Sequence, residues 1–263
     1  MQIYTHTLPG GAQLIGYLRD RTVEMPAFNT RPAILILPGG GYAWCSRREA
    51  DPVAMQFLQA GYNVFTLYYT CRSDETVPAL RWQPLIDAAG AILHIRRNAE
   101  QFGTDPAKIA ICGFSAGGHL ALSGAVLDIP GETAQQRPNA VILGYPVITA
   151  GEFAHRGSFV QLAGSEDAAA QQAFTLEDKV TSDTPPVFVW HTMEDKTVPV
   201  ENTLLLLAAL RRADVPCEAH LFEKGAHGTS ISTAEVDAAD PHRAHWVALC
   251  LEWLGETFGF KLS

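Results

Sequence analysis

Short apolar runs alternate with stretches of helical periodicity along almost the whole chain, and that alternation constrains the fold more than any single motif. Residues 3–7 and 13–18, split by Pro9-Gly10-Gly11, read as an opening hairpin. Strand-like runs follow at 33–37, 63–68, 108–112, 140–143, 187–191 and 217–222. Between them lie helix-like stretches at about 49–59, 85–102, from Ser115 onward, 201–212 and 241–258, and Gly61 stands where a terminal glycine would close the first. The run 33–37 is apolar throughout, as suits a strand buried on both faces. Strands joined through helices give parallel crossovers. The expectation is therefore an α/β protein, a three-layer α/β/α sandwich on a mostly parallel sheet, with its functional loops at the carboxyl edge of the strands.

One interval breaks the rhythm. Residues 146–186 far exceed the usual connection in α/β units and read as a small cap or pocket-wall insertion within a single domain over 1–263. Phe153, Phe159, Leu162 and Phe174 either line an acyl or substrate pocket there or pack on one another. His155 and Arg156 are candidate substrate contacts.

The sequence Gly113-Phe-Ser-Ala-Gly117 falls between a strand-like run and an Ala/Leu-rich helix start. In that context two glycines permit a turn too tight for side chains, and the serine is pushed out above the sheet. A serine hydroxyl becomes a good nucleophile only when a base takes its proton and a carboxylate orients that base. Asp195 lies just past the run 187–191, and His227 lies past 217–222 among the small residues of Gly225-Ala-His-Gly228. Ser115, Asp195 and His227 thus come in the order serine, acid, histidine, each at a strand end. Glu194 is the rival acid, one position away; His94, His119 and His191 sit in helix or strand context and read as packing residues.

Acyl transfer also needs donors aimed at the developing oxyanion. Pro38-Gly39-Gly40-Gly41-Tyr42 directly follows the run 33–37, where successive glycines leave backbone N–H groups unshielded, and the N–H of Ala116 is the second partner. The run has neither the lysine of a phosphate loop nor the spacing of a dinucleotide fingerprint. Tyr42, Trp44 and Trp82 are candidate platforms for a sugar ring, with core or rim packing as the alternative for each. Asp240, His242 and His245 lack a third ligand at a recognised spacing, so no metal and no other cofactor is expected.

A net charge of −9 and dispersed arginine pairs argue against nucleic acid as a partner, and 47% hydrophobic with 18% charged residues describes a water-soluble globular chain without a membrane segment. The start lacks a basic segment followed by an apolar one, and five cysteines in no CxxC pair fit buried reduced thiols, so the expected compartment is the cytoplasm. The oligomeric state stays open, a homodimer included.

Pro38-Gly-Gly-Gly-Tyr42, Gly113-Phe-Ser-Ala-Gly-Gly-His119, Asp195 to Pro199 and Gly225-Ala-His-Gly228 together resemble the α/β-hydrolase superfamily over nearly the whole chain. Within it the chain is similar to small bacterial esterases near the hormone-sensitive-lipase-like and acetyl-xylan or feruloyl esterases. The resemblance implies the α/β-hydrolase fold, Ser115 as nucleophile, His227 as base, Asp195 as its orienter, and Gly40 or Gly41 with Ala116 as oxyanion hole. One departure stands out: proline occupies the first place of the HGGG motif, which leans toward the carbohydrate-ester group. The implied substrate is a small-molecule or oligosaccharide ester with a short acyl group, acetyl above all, on a plant-derived saccharide. A serine peptidase on the same fold would use the same residue order, and a catalytically silent binding protein would keep the fold alone.

Overall fold

Backbone pairing follows the apolar runs. The computed structural model describes residues 1–74, 76–128 and 134–262. The strands are β1 (Gln2–Thr7), β2 (Gln13–Leu18), β3 (Arg31–Leu37), β4 (Asn63–Tyr68), β5 (Thr104–Phe114), β6 (Ala140–Gly144), β7 (Val187–Thr192) and β8 (Cys217–Phe222). They form one sheet in the order β1-β2-β4-β3-β5-β6-β7-β8. The opening hairpin and its junction with β4 are antiparallel, and every pairing from β4 to β8 is parallel.

The helices are α1 (Asp51–Gln59), α2 (Gln83–Arg97), α3 (Ala99–Phe102), α4 (Ala116–Val126), α5 (Arg156–Ala163), α6 (Ala168–Gln172), α7 (Glu201–Arg212), α8 (Pro241–Ala244) and α9 (Trp246–Phe258). Among the boundaries that differ from the sequence expectation, three stand out. The helix expected over 85–102 divides at Asn98, the one over 241–258 divides at His245, and β5 runs past 108–112 in both directions. None of the described helices is long and apolar enough to cross a membrane.

Alternation along the central strands feeds two cores. In β3, Ala33, Leu35 and Leu37 face the layer of α2, α4 and α7, while Ile34 and Ile36 face α1 and α9. Helix α4 is buried on every side, which is why its sequence is apolar all round. Phe159, Leu162 and Phe174 of the long interval join the α2/α4/α7 core instead of lining an acyl pocket, and Phe153 is half-buried. Cys112 and Cys250 are buried and Cys45 and Cys71 half-buried, but Cys217 is exposed, because β8 is an edge strand with one face toward solvent.

This topology places the site. The chain turns from β4 back across β3 to β5, so the loops after β3 and β5 flank the switch point, where open α/β sheets bind ligands beyond their strand ends. Leu37 pairs with Gly113, which brings the glycine run level with Ser115.

Candidate active site

Ser115 sits between β5 and α4 with φ of +54° and ψ of −119°, a backbone conformation that L residues rarely adopt. Hydrogen bonds hold it there: its N–H donates to Gly144 O at 3.0 Å, and its carbonyl accepts from Val147 N–H at 3.1 Å. Sterics account for both flanking glycines. A Cβ on Gly113 would lie 2.0 Å from Gly117 O, and one on Gly117 would lie 2.1 Å from Leu37 O. The serine is therefore raised at a crossing where three backbones touch.

The loops after β7 and β8 meet this serine. His227 Nε2 lies 2.8 Å from Ser115 Oγ, and His227 Nδ1 lies 2.6 Å from Asp195 Oδ2. A carboxylate can only accept, so Nδ1 carries the proton and the Nε2 lone pair faces the serine O–H. Asp195 Oδ1 accepts from Thr197 N–H at 2.9 Å and Val198 N–H at 3.0 Å, and Oδ2 also faces His191 Nε2 at 3.3 Å. Burial alone would raise this carboxyl, but hydrogen bonds from His191 and His227 outweigh it and hold Asp195 well below the usual carboxylate range. Glu194 does not compete: it turns away and accepts from Gly225 N–H at 3.3 Å. His191, expected only to pack, also holds the acid loop, through Val198 O at 3.0 Å and Thr203 Oγ1 at 2.7 Å.

Across from the imidazole lies the glycine run. Gly40 and Gly41 have φ of +127° and +64°, and a Cβ on Gly40 would lie 2.1 Å from Trp44 O. Gly39 N–H is committed to Glu49 Oε2 at 2.8 Å, and Gly40 O closes the bight by accepting from Ala43 N–H at 3.0 Å. Among the described residues the N–H groups of Gly40 and Gly41 have no acceptor. Ala116 opens α4, where helix geometry leaves the N–H without an intrahelical partner. A cleft of about 310 Å³ opens here, and its lining includes Gly40, Gly41, Trp44, Glu49, Ser115, His155 and His227. Burial lowers the His155 pKa, helped by the neighbouring His227, and its Nδ1 pairs with Ser158 Oγ at 2.8 Å.

Three expected contacts lie elsewhere. Tyr42 is not a sugar platform: only 1% exposed, it puts its hydroxyl 2.7 Å from His119 Nδ1. The other ring nitrogen of His119 lies 2.7 Å from Phe174 O, a pure acceptor, so Nε2 carries the proton and Nδ1 accepts from Tyr42. That chain clamps the glycine loop, the first turn of α4 and the long interval together. Trp82 packs on Phe174 at a centroid distance of 4.7 Å with the rings tilted by 42°, outside the cleft, and the Arg156 guanidinium donates to the carbonyls of Ala150 and Gly151. The Asp240 carboxylate is held by Arg243, and no group of three His, Cys, Asp or Glu among the described residues clusters to hold a metal.

Sequence reasoning missed Glu49 and Tyr145. Glu49 is 3% exposed and accepts the Tyr145 hydroxyl at 2.6 Å on Oε1, and that hydroxyl accepts Ser230 N–H at 2.9 Å. Glu49 stands at the expected start of a helix, and nothing in the local pattern marks it as buried.

A serine at a strained strand-to-helix turn, on the carboxyl edge of an eight-stranded mostly parallel sheet, defines an α/β-hydrolase. The BD-FAE family model matches residues 23–142, and that of the prolyl oligopeptidase family matches residues 91–260. The chain is 39% identical over 235 residues to endo-1,4-beta-xylanase B of Butyrivibrio fibrisolvens, covering 84% of this chain and 35% of that protein. It is 30% identical over 232 residues to an acetylxylan esterase of Xylanibacter ruminicola, covering 85% of this chain and 45% of that protein. It thus spans less than half the length of both. Among solved structures, an acetyl ester-xyloside bifunctional hydrolase from Caldicellulosiruptor lactoaceticus is 34% identical with a TM-score of 0.82, covering 97% of this chain and 90% of that one. A carboxylesterase from Lactobacillus plantarum is 28% identical with a TM-score of 0.87, and all of both chains is covered. The chain belongs to the α/β-hydrolase superfamily.

Proposed function

We propose that the chain removes short acyl groups, acetyl above all, from esters of plant-derived saccharides, with Ser115, His227 and Asp195 as its catalytic triad. The observation that supports this most is the continuous hydrogen-bond chain from Ser115 through His227 to Asp195, set opposite the unpaired amides of Gly40 and Gly41. In the first half-reaction Ser115 Oγ bonds to the ester carbonyl carbon while its proton passes to His227 Nε2. The carbonyl oxygen takes up the negative charge against the N–H groups of Ala116 and of Gly40 or Gly41. The imidazolium is held by Asp195 and gives its proton to the departing alcohol oxygen as the C–O bond breaks. Water then repeats the sequence on the acyl-enzyme, with His227 taking its proton and returning it to Ser115 Oγ as acetic acid is released. Every proton and bond in this cycle is handled by the chain's own groups.

The saccharide half of the reading rests on Trp44, 63% exposed on the cleft wall, and on the relatives whose names carry acetylxylan and xyloside. Acetate release from acetylated xylo-, manno- and pectic oligosaccharides, beside p-nitrophenyl esters of increasing chain length, tests it. A preference for a sugar acetate is expected, and longer p-nitrophenyl esters turning over faster than any sugar acetate would overturn it. Ser115→Ala should abolish acetate release while the protein stays folded. A peptidase is the second reading, favoured by the prolyl oligopeptidase match over residues 91–260. Hydrolysis of an aminoacyl-naphthylamide without hydrolysis of acetyl esters would select it.

A further inference from the structure

We infer that Glu49 is a positioning residue that ties the oxyanion loop to the histidine loop, so that donors and base are aligned by one buried carboxylate. The inference rests on the triad reading above and adds a residue that touches none of the reacting atoms.

Glu49 is 3% exposed, and no cation among the described residues lies within ion-pair distance of it. A carboxylate in such a place is costly unless its oxygens are satisfied by well-placed donors. Each oxygen meets one. Oε2 accepts Gly39 N–H at 2.8 Å, which fixes the peptide immediately before Gly40 and Gly41. Oε1 accepts the Tyr145 hydroxyl at 2.6 Å.

Tyr145 carries the link to the other side of the cleft. It follows β6 with φ of +38°, is anchored by its N–H on Trp190 O at 2.8 Å, and lays its ring edge-on to His227 at a centroid distance of 4.9 Å. Its hydroxyl also accepts Ser230 N–H at 2.9 Å, three residues beyond His227. Ser230 Oγ in turn donates to Arg48 O at 2.6 Å, so the histidine loop is pinned twice to the segment that bears Glu49. Hydrogen bonds to a charged acceptor are roughly twice as strong as neutral ones, which suits the carboxylate to holding two loops from different strand ends.

Glutamine is nearly isosteric but offers a single acceptor, so it can serve Gly39 N–H or the Tyr145 O–H but not both. Glu49→Gln should lower kcat on p-nitrophenyl acetate roughly 10- to 100-fold, less than deleting an oxyanion donor outright. KM should stay within about two-fold, because the ground-state ester makes no use of the alignment. Tyr145→Phe breaks the same link at its other end, and the double variant should be no slower than the slower single one. Labelling of Ser115 by a fluorophosphonate, whose phosphoryl oxygen takes the oxyanion position, should slow in parallel. Wild-type kcat in a folded Glu49→Gln, or kcat losses that multiply in the double variant, would overturn the inference. If Glu49→Gln fails to fold, Tyr145→Phe decides alone: unchanged kcat overturns it. An inert Ser115→Ala beside a fully active Glu49→Gln would remove this inference and leave the triad reading intact.

Discussion

Two glycines of α4 differ in what they touch, and substituting alanine at each turns that difference into numbers. A Cβ on Gly117 would stand 2.1 Å from Leu37 O and 2.5 Å from Pro38 O. Carbon and oxygen do not approach much nearer than about 3 Å in a packed interior, so one backbone must retreat by about 1 Å. Neither obstacle is a flexible side chain, and Leu37 is held in register against Gly113. The displacement therefore falls on the loop from Pro38 to Gly41 or on the start of α4, which carry the two sides of the proposed oxyanion site. Overpacking of this kind costs about 1–3 kcal/mol, and a 1 Å misplacement of catalytic groups costs about 10²-fold in rate. Gly124, two turns along, would place its Cβ 3.9 Å from Ile111 Cδ1 and 4.0 Å from Leu85 Cδ1, which is ordinary contact. There alanine should gain up to about 1 kcal/mol of helix propensity and leave the rate alone. Thermal unfolding and kcat/KM on p-nitrophenyl acetate read both effects. A Gly117→Ala enzyme with wild-type rate and Tm, or a Gly124→Ala enzyme equally damaged, would refute the reasoning.

Other perturbations address the remaining parts of the site. Asp195→Asn should lower kcat by about 10⁴-fold with the fold intact. Because the Asp195 pKa is depressed, its stabilising contribution is present above about pH 4 and lost as the pH falls further, so the Tm advantage of wild type over this variant should narrow in acid. Burial, only partly opposed by the Phe174 carbonyl, lowers the His119 pKa to about 4, so the unfolded chain binds a proton there that the folded one refuses. Wild type should lose up to about 3 kcal/mol as the pH falls from about 6.5 to about 4, and His119→Gln, which keeps one donor and one acceptor, should flatten that slope in unfolding measurements. Tyr42→Phe strips His119 Nδ1 of its donor and should cost about 1–3 kcal/mol in unfolding measurements without changing KM for a sugar ester. Trp44→Ala should do the reverse, raising KM for saccharide acetates in initial-rate assays and leaving Tm and p-nitrophenyl acetate turnover unchanged.

Much of this was legible in the sequence because the signals are local. Apolar runs between turn residues located all eight strands, and the residues just past four of them supplied the glycine run, Ser115, Asp195 and His227. The supporting residues gave no such signal. Glu49 reads as the charged start of a helix, and its burial follows only from the way β3, β6 and the histidine loop converge on it. Tyr42 follows three glycines and reads as a cleft aromatic, yet its φ of +63° turns it inward onto His119. The aromatic residues of the long interval could have lined a pocket or packed. They pack, because α4 needs cover on the face that α2 leaves open.

The central claim is that an acyl group passes through Ser115. Acid quench of the enzyme mixed with p-nitrophenyl acetate, followed by peptide mass spectrometry, tests it most directly. One acetyl group on the peptide bearing Ser115, appearing with the first burst of nitrophenol and missing in Ser115→Ala, is the expected result. Acetylation at another residue together with undiminished turnover by Ser115→Ala would contradict it.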